Sequence, residues 1–362
     1  MTVKDYSSKK IILAAGGTGG HIIPALSIAE ELKAHRVHLL YVGNQNSMES
    51  KIISQSNLEF EEINVQKLYR KFTLTHIKFP FKLISSILRS LKIIKSFKPD
   101  AFLGTGGFVC GPVGYAAYLK KIPVYIQEQN SYPGLTTRIL AKYANKVFLG
   151  NENAKEHLPK NKLVFSGNPI NQNVIKESDH INYSKYGLRK DSLKIFLTGG
   201  SQGSVTLNKV LYSILDELLD KQFEIIWQIG DHSFEEFYAK IKDKKGVYGF
   251  KFTDEMGKIY NSVDIVISRG GAISLAEIET KKIPSIIIPL ASAAGDHQYY
   301  NALELEEKKV ACLIKQNNLN SNILMNKILY IKNNMEKMKS DFKNSLHSNA
   351  AKLIADTIVR RI

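Results

Sequence analysis

Short apolar runs alternate with longer segments of helical periodicity along most of the chain. Strands are expected at 10–15, from 37, and at 100–103, 123–126, 193–198, 224–228, 249–252, 264–268 and 285–289. Helices are expected at 24–35, 80–97, 111–120, 207–219, 256–261, 274–281 and 297–308. Because strands that alternate with amphipathic helices form parallel sheets with helices on both faces, the pattern predicts an α/β protein.

The alternation stops and restarts near the middle of the chain. Gly167 and Pro169 break the pattern, and a polar stretch follows them. We therefore predict two doubly wound Rossmann-like domains that face a cleft, covering 1–168 and 169–341. The last stretch, 342–362, is amphipathic and is a candidate to pack back onto the first domain.

Two glycine-rich turns stand at corresponding places in the two halves. Residues 16–21 read GGTGGH and residues 199–204 read GGSQGS, and each turn follows a predicted strand and opens a helical pattern. Glycine lets the backbone approach an anion closely, and a helix N-terminus offers unpaired N–H groups and a partial positive charge. The duplication predicts a phosphate-binding edge in each domain.

Neither turn fits the two commonest nucleotide motifs. The first lacks the last glycine of the G-x-G-x-x-G dinucleotide fingerprint, because Ile22 stands at that place. The second strand runs into Gly43, Asn44 and Gln45, without the carboxylate that holds a ribose in NAD enzymes. Both turns also lack the Lys-Ser or Lys-Thr of a P-loop. A nicotinamide enzyme and a P-loop ATPase are therefore disfavoured.

The composition is that of a globular protein with a strong positive charge. The 362 residues carry a formal charge of +16, which favours an anionic partner such as nucleic acid, acidic lipid or a nucleotide-sugar phosphate. Cys110 and Cys312 form neither a disulfide framework nor a metal cluster, so a reducing cytosol is the expected setting. We expect neither export nor a membrane span, because no apolar run is long enough. The sequence also lacks metal-ligand motifs, and no cofactor is expected.

Three polar residues of the first half are candidates for catalysis and acceptor binding. His21 opens a predicted helix, whose dipole favours the neutral imidazole that a general base needs. The alternative is a capping or core histidine. Glu128 and Asn130 follow a strand that ends on the same sheet edge, where they are candidates to hold an acceptor sugar or to orient His21. The alternative for Glu128 and Asn130 is that they cap the next helix.

The segment 268–277 of the second half leads from a predicted strand into a helix. Backbone amides from Ala272 to Ser274 are placed to receive a pyrophosphate, and Glu277 is placed one turn further on to chelate two ribose hydroxyls. The alternative for Glu277 is a solvated helix residue. Further along, Asp296, His297 and Gln298 offer polar groups suited to sugar hydroxyls.

A stripe without acidic residues runs from 64 to 99. Its cations are interleaved with aromatic and aliphatic residues, and we predict that it contacts an anionic membrane surface through Phe72, Phe79, Phe81, Lys78 and Lys82. The alternative is an amphipathic helix packed on the sheet, which would account for Ile84, Ile87 and Leu88. Nucleic acid is a third partner for such charges, but no nucleic-acid-binding motif accompanies them, so none is expected.

Five motifs occur in the order of a known family. They are GGTGGH at 16–21, QEQN at 127–130, GNP at 167–169, GGSQG at 199–203, and the segment from Arg269 through Glu277. Together they resemble the MurG peptidoglycan glycosyltransferases of glycosyltransferase family 28, over nearly the whole chain. The resemblance implies the GT-B fold and inverting transfer of N-acetylglucosamine from its UDP donor to the C4 hydroxyl of the muramyl sugar on lipid I, which gives lipid II.

The same resemblance implies partners and site residues. The partners are UDP-N-acetylglucosamine, lipid I, the cytoplasmic face of the inner membrane, and other proteins of cell-wall synthesis and division. Residues implied to contact the donor or its diphosphate are Thr18, Gly19, Gly20, Asn130, Ser201, Ala272, Ile273, Ser274, Leu275, Ala276, Glu277 and Gln298. Thr253 stands where the family contacts uracil through its backbone. Asn171 is also expected to contact substrate, although many members carry arginine there. The length of the segment before Asp296 varies among members.

Other functions are compatible with the same residues. Within the fold, the rivals are transfer to another lipid acceptor such as diacylglycerol, and a UDP-sugar epimerase, which would need no acceptor. A basic RNA- or DNA-binding protein would bind polynucleotide in a salt-sensitive way that UDP does not compete. A membrane scaffold without activity would bind vesicles even after loss of Glu277.

Overall fold

The chain folds into two compact units. The computed structural model describes residues 6–66, 75–200 and 202–362. Unit 1 comprises Met1–Asn171 and Leu346–Ile362, and unit 2 comprises Gln172–Ser345. The division therefore falls three residues after the expected one, and the C-terminal segment of unit 1 begins at Leu346 instead of 342.

Unit 1 is built on a seven-stranded sheet. Its strands and helices are β1 (Lys10–Ala14), α1 (Gly19–Ala34), β2 (His38–Asn44), α2 (Met48–Ile53), β3 (Glu59–Ile63), α3 (Thr75–Phe97), β4 (Ala101–Gly104), α4 (Cys110–Leu119), β5 (Val124–Glu128), α5 (Leu135–Leu140), β6 (Lys146–Leu149) and β7 (Leu163–Phe165). The strand order is β3-β2-β1-β4-β5-β6-β7, and all neighbours are parallel. The order reverses between β1 and β4, which is where such sheets bind ligands.

Unit 2 repeats the plan with six strands. Its elements are α6 (Gln172–Lys176), β8 (Leu193–Thr198), α7 (Val205–Ser213), α8 (Leu215–Asp220), β9 (Phe223–Gln228), α9 (Phe234–Ile241), β10 (Val247–Phe250), α10 (Met256–Asn261), β11 (Ile265–Ser268), α11 (Ala272–Thr280), β12 (Ser285–Ile287), α12 (His297–Glu307), β13 (Ala311–Leu313) and α13 (Ser321–Asp341). The parallel strands follow the order β10-β9-β8-β11-β12-β13, so the reversal lies between β8 and β11. The predicted pair of doubly wound α/β sheets is confirmed.

The C-terminal helix α14 (His347–Val359) completes the core of unit 1. It packs against α1, and its Ile354 and Ile358 are fully buried in the same apolar cluster as Ile28 and Leu32. By contrast, Phe342, just before this helix, is buried in the core of unit 2. The residues between Phe342 and α14 therefore carry the chain back from one unit to the other.

Three expected elements differ from the structure. The first helix begins at Gly19 instead of 24, and Pro24 lies inside it. The helix expected over 207–219 is two helices, because Ile214 leaves helical geometry at φ −115° and ψ 6°. The helix expected from residue 80 begins at Thr75, so Pro80 lies within α3.

The packed face of α3 also differs from the expectation. Ser86, Ser90, Ile93 and Ile94 form its buried side, and the Ser86 hydroxyl donates to the Asn64 carbonyl oxygen at 2.7 Å. Ile84 and Leu88, which packing on the sheet was expected to explain, are 56% and 55% exposed. Packing on the sheet therefore does not account for these two side chains.

Candidate active site

The loops that follow β1 and β4 meet at the switch point of unit 1. Gly16 donates its N–H to the Gly106 carbonyl oxygen at 3.3 Å. Gly107 adopts φ +85°, and a Cβ there would lie 2.1 Å from the Gly16 carbonyl oxygen. Only glycine permits this approach, because an L-residue is disfavoured at that φ and no space exists for a side chain.

A buried carboxylate binds the backbone of the loop that follows β1. Glu49 lies in the first turn of α2 and is fully buried. Its two oxygens accept hydrogen bonds from the N–H groups of Gly17 at 3.3 Å and Asn44 at 3.1 Å. Glu49 was not predicted, because nothing in the local sequence distinguishes a carboxylate that turns inward and binds the backbone of a loop 32 residues away.

His21 stands in the first turn of α1, at the edge of the same two loops. Its backbone carbonyl accepts a hydrogen bond from the Thr105 hydroxyl at 2.8 Å, and its Nδ1 lies 3.1 Å from Oε1 of Gln129. A Cβ at Gly106, which has φ +109°, would lie 2.5 Å from Nδ1. The half-buried ring of His21 is thus held by the loops after β4 and β5.

Glu128 is engaged by the loop that follows it. Its buried carboxylate accepts hydrogen bonds from the Asn130 N–H at 3.1 Å, the Asn130 side-chain amide at 3.0 Å and the Gly134 N–H at 3.2 Å. These bonds fix the segment from Asn130 to Gly134, which leads into α5. The hydrogen bond at Nδ1 of His21 comes from the neighbouring residue, Gln129.

The N-terminus of α1 is open to solvent. Thr18 is its N-cap residue and makes no side-chain capping bond, and Thr18 and Gly20 are exposed while Gly19 is half-buried. The His21 N–H donates to the Thr18 carbonyl oxygen at 3.1 Å, whereas the backbone of Gly19 and Gly20 lies at a surface that a polar ligand can reach.

In the glycine-rich turn of unit 2, neighbouring backbone atoms also leave no room for a side chain. Gly203 adopts φ +77°, and a Cβ there would lie 2.2 Å from the Ile229 carbonyl oxygen. The Gly200 N–H donates to the Thr198 hydroxyl at 3.1 Å, and that hydroxyl donates to Oε1 of Gln228 at 2.7 Å. Ser201, a predicted donor contact, lies outside the described residues.

Arg269 joins this turn to the loop after β11. Its guanidinium donates to the Ser204 hydroxyl at 2.7 Å, to Oε1 of Gln316 at 2.7 Å and to the Ile288 carbonyl oxygen at 3.1 Å. Partial burial lowers its pKa from the usual value, but an arginine stays charged. Within the described part of the chain, no carboxylate pairs with this cation.

The N-terminus of α11 presents backbone to solvent and buries its side chains. Gly271 is the N-cap and supplies no capping side chain. Ile273, Leu275 and Ala276 are buried in the unit, and the Leu275 N–H donates to the Gly271 carbonyl oxygen at 3.0 Å, whereas Ala272 and Ser274 are partly exposed.

Glu277 lies on the next turn of α11 and is buried beside Tyr260 of α10. The Tyr260 hydroxyl donates to Oε2 of Glu277 at 3.2 Å. Burial raises the pKa of the Glu277 carboxyl to about 7, and the Tyr260 hydrogen bond opposes that rise. A carboxyl with such a pKa near a helix N-terminus is a strong functional candidate.

The remaining predicted substrate contacts lie on α12, in the loop after β10 and at the border between the units. The N–H of Leu290 donates to Oε1 of Gln298 at 2.9 Å, which ties that amide to the loop after β12. The Thr253 hydroxyl accepts from the Glu255 N–H at 3.0 Å, ahead of α10. Asn171 is exposed at the border of unit 1.

The predicted membrane contacts fall on α3 or beside it. Phe81 is 74% exposed, Lys82 is exposed and Phe79 is half-buried. Phe72 and the side chain of Lys78 lie outside the described residues. None of the helices in the described part of the chain has the length and apolar character needed to span a membrane.

Relatives and solved structures identify the family. The glycosyltransferase family 28 N-terminal domain matches residues 11–149, and the family 28 C-terminal domain matches residues 194–358. A protein of Flavobacterium psychrophilum named UDP-N-acetylglucosamine--N-acetylmuramyl-(pentapeptide) pyrophosphoryl-undecaprenol N-acetylglucosamine transferase is 38% identical, over 98% of each chain. The protein of the same name from Bacillus subtilis is 34% identical, over 87% of this chain and 88% of its own.

The fold agrees with these relatives. The crystal structure of Acinetobacter baumannii MurG superimposes with a TM-score of 0.77 at 26% identity, covering 97% of this chain and 99% of that one. A UDP-GlcNAc 2-epimerase of Neisseria meningitidis, at 16% identity and a TM-score of 0.67, shares the fold alone. Identity above one third over nearly the whole length, with both domains matched in order, shows that the chain belongs to glycosyltransferase family 28.

Proposed function

We propose that the chain transfers N-acetylglucosamine from UDP-N-acetylglucosamine to the C4 hydroxyl of the muramyl-pentapeptide sugar on lipid I, with inversion, and so forms lipid II. The relatives named for this reaction support the proposal. The observation that carries it is the buried Glu277 carboxylate, one turn behind the open N-terminus of α11. That pairing suits a nucleoside diphosphate, whose charge and ribose hydroxyls call for both groups.

Unit 2 is proposed to hold the donor. The N–H groups at the start of α11 receive the diphosphate, and the helix dipole stabilises the charge that develops on the leaving UDP. Arg269 lies beside Ser204 and adds a cation that no described carboxylate neutralises. The Glu277 carboxylate accepts hydrogen bonds from the ribose hydroxyls, and the backbone at Thr253 contacts uracil.

Unit 1 is proposed to supply the base. His21 takes the proton from the acceptor C4 hydroxyl while the oxygen attacks the anomeric carbon of the donor. The bond from that carbon to the diphosphate oxygen breaks, UDP leaves with the electron pair, and the proton stays on the imidazole. Asn130 borders this region and binds the acceptor sugar, while Glu128 fixes the loop that carries Asn130.

The exposed side of α3 is proposed to bind the cytoplasmic face of the membrane that holds the lipid-linked acceptor. Phe81, Ile84 and Leu88 recur at helical spacing and are each more than half exposed. Lys82 is exposed on the same helix and suits anionic headgroups. We also propose that the chain serves cell-wall synthesis, alongside proteins of division.

Replacing His21 tests its role as the base. His21→Gln should lower kcat by about 10²–10⁴-fold, because the acceptor hydroxyl loses its proton acceptor, while UDP affinity stays unchanged. The measurements are initial rates of transfer and calorimetric titration with UDP. His38→Gln is the control, since His38 lies at the amino end of β2 and pairs with Glu59. An active His21→Gln enzyme would remove His21 as the base.

Replacing Glu277 tests the donor site through opposite effects on stability and binding. The folded pKa of about 7 exceeds the usual 4.5, so ionisation destabilises the ligand-free fold as pH rises from 4.5 through 7. Glu277→Gln should therefore raise the melting temperature at about pH 8, with the gain vanishing near about pH 5. The same change should weaken UDP binding by about ten- to a hundredfold at about pH 8, because hydrogen bonds to a charged group are lost.

Thermal denaturation and calorimetry with UDP at both pH values measure these effects. Glu279→Gln is the matched control, because Glu279 lies on the same helix but pairs with Lys308 at 3.0 Å. Full UDP affinity in the Glu277→Gln protein would contradict the proposed ribose contact.

Changing the apolar stripe of α3 tests membrane binding. The double variant Phe81→Ser, Ile84→Ser should lower partitioning onto anionic vesicles by at least about tenfold, because each buried apolar side chain contributes about 1.5–3 kcal/mol. Vesicle co-sedimentation measures the partitioning. Tyr330→Ser, an exposed apolar position on α13, is the control. Equal partitioning of both variants and the parent would show that α3 does not contact lipid.

A further inference from the structure

Gln129 connects His21 to a hydrogen-bond network of buried side-chain amides. Gln127, Gln129 and Asn168 are almost completely buried, as is Thr105 of the loop after β4. The Gln129 side-chain N–H₂ donates to the Thr105 carbonyl oxygen at 2.5 Å and to Oε1 of Gln127. Its Oε1 faces Nδ1 of His21 at 3.1 Å.

Two backbone carbonyl groups fix the direction of every hydrogen bond among these side-chain amides. A carbonyl oxygen only accepts, so the Gln129 atom next to the Thr105 carbonyl is nitrogen. The Asn168 atom next to the Gln129 carbonyl, at 3.1 Å, is nitrogen for the same reason. The oxygen of Asn168 then accepts from Nε2 of Gln127 at 3.1 Å, and the oxygen of Gln127 accepts from Gln129. No side-chain amide can be reversed without placing two acceptors or two donors against each other.

The oxygen of Gln129 must therefore accept from His21. We propose that Gln129 is a positioning residue that fixes neutral His21 as the tautomer with its proton on Nδ1, so that Nε2 is the nitrogen that takes the acceptor's proton. The catalytic part of this proposal rests on the proposed function, whereas the tautomer itself does not. When the C4 hydroxyl loses its proton to Nε2, the Nδ1–H bond to Gln129 persists, and the imidazolium needs no reorientation.

The same hydrogen bond selects the orientation of the ring. Turning the imidazole over about its Cβ–Cγ bond would place Cδ2 against Oε1 of Gln129 and lose the contact with Nδ1. Glycine at 106 leaves room for the ring in this orientation, because a Cβ there would come within 2.5 Å of Nδ1. Because the amides are buried, water cannot replace a lost partner there, and the opposite tautomer would set the Nδ1 lone pair against the Gln129 oxygen.

A second histidine of the network has the opposite tautomer and serves as an internal reference. Nδ1 of His347, in α14, accepts a hydrogen bond from the Asn168 N–H at 2.8 Å. A backbone N–H only donates, so neutral His347 carries its proton on Nε2. One spectrum of the protein should therefore contain both patterns.

The test is a two-bond proton–nitrogen correlation spectrum of the full chain with ¹⁵N-labelled histidine, without substrates, at about pH 8 where imidazoles are mostly neutral. The variants His21→Gln and His347→Gln identify the two signals by their loss. The expected result is the Nδ1–H pattern for His21 and the Nε2–H pattern for His347. An Nε2–H pattern for His21 in the unmodified protein would overturn the proposal, and this result needs no variant of Gln129.

The variant Gln129→Met tests the cause. It should move His21 toward the Nε2–H pattern and lower kcat by at least about tenfold while UDP affinity stays the same, because misplacing the proton of a catalytic histidine removes its base. Gln228→Met is the matched control, since Gln228 is a buried glutamine below the glycine turn of the other sheet and should leave the His21 pattern unchanged.

The outcomes separate this proposal from the proposed function. An unchanged Nδ1–H pattern in Gln129→Met would overturn the role of Gln129, even if His21→Gln is inactive. A changed pattern with unchanged turnover would overturn the catalytic role of the tautomer, and it would count against His21 as the base.

Discussion

Backbone packing between glycine-containing loops at the carboxyl edge of each sheet is the constraint on which the candidate site residues of each unit depend. In unit 1, Gly107 approaches the carbonyl of Gly16 to a distance that no side chain allows, and in unit 2 Gly203 approaches the carbonyl of Ile229 in the same way. In unit 1 the approach fixes the loop between β1 and α1, and in unit 2 it fixes the loop between β8 and α7. The start of each of these helices is thereby held in place, and a helix N-terminus is suited to bind an anion.

Polar groups outside the glycine residues hold these loops in place through hydrogen bonds, because glycine has no side chain that could do so. Glu49 binds the backbone of Gly17, and Gln129 binds His21. In unit 2, Gln228 and Thr198 support Gly200, and Arg269 holds Ser204. Every one of these groups has a hydrogen-bond partner, which offsets the cost of removing it from water. The two units thus fix their glycine-containing loops with different residues.

Most of the strands and helices could be predicted from the sequence, because apolar residues recur with a different period in a strand than in a helix. The β1, β4, β5, β8 and β9 runs are apolar on both faces and were predicted near their observed positions. The β3 strand, Glu59–Ile63, was not predicted, because it forms an edge of the sheet and carries three glutamates. The break at Ile214 was missed as well, since its helical periodicity continues across the irregular residue.

Only those candidate site residues that belong to a local sequence motif could be predicted. The glycine turns, His21 and the α11 segment were placed on the right elements because each stands directly after a strand. Glu49 and Gln129 act through contacts that are distant along the chain, 32 residues for Gly17 with Glu49 and 108 for His21 with Gln129, and no local pattern records such pairs. The exposure of Ile84 and Leu88 likewise depends on which face of α3 the sheet covers.

The central claim is that the chain moves a sugar from a UDP donor to a lipid-linked acceptor. The most direct measurement follows label from UDP-N-acetylglucosamine into product with a short-chain lipid I analogue, in the presence of magnesium and anionic vesicles. We expect label to enter the lipid-linked product, and only when the acceptor is present. Absence of transfer, or conversion of the donor without any acceptor, would contradict it.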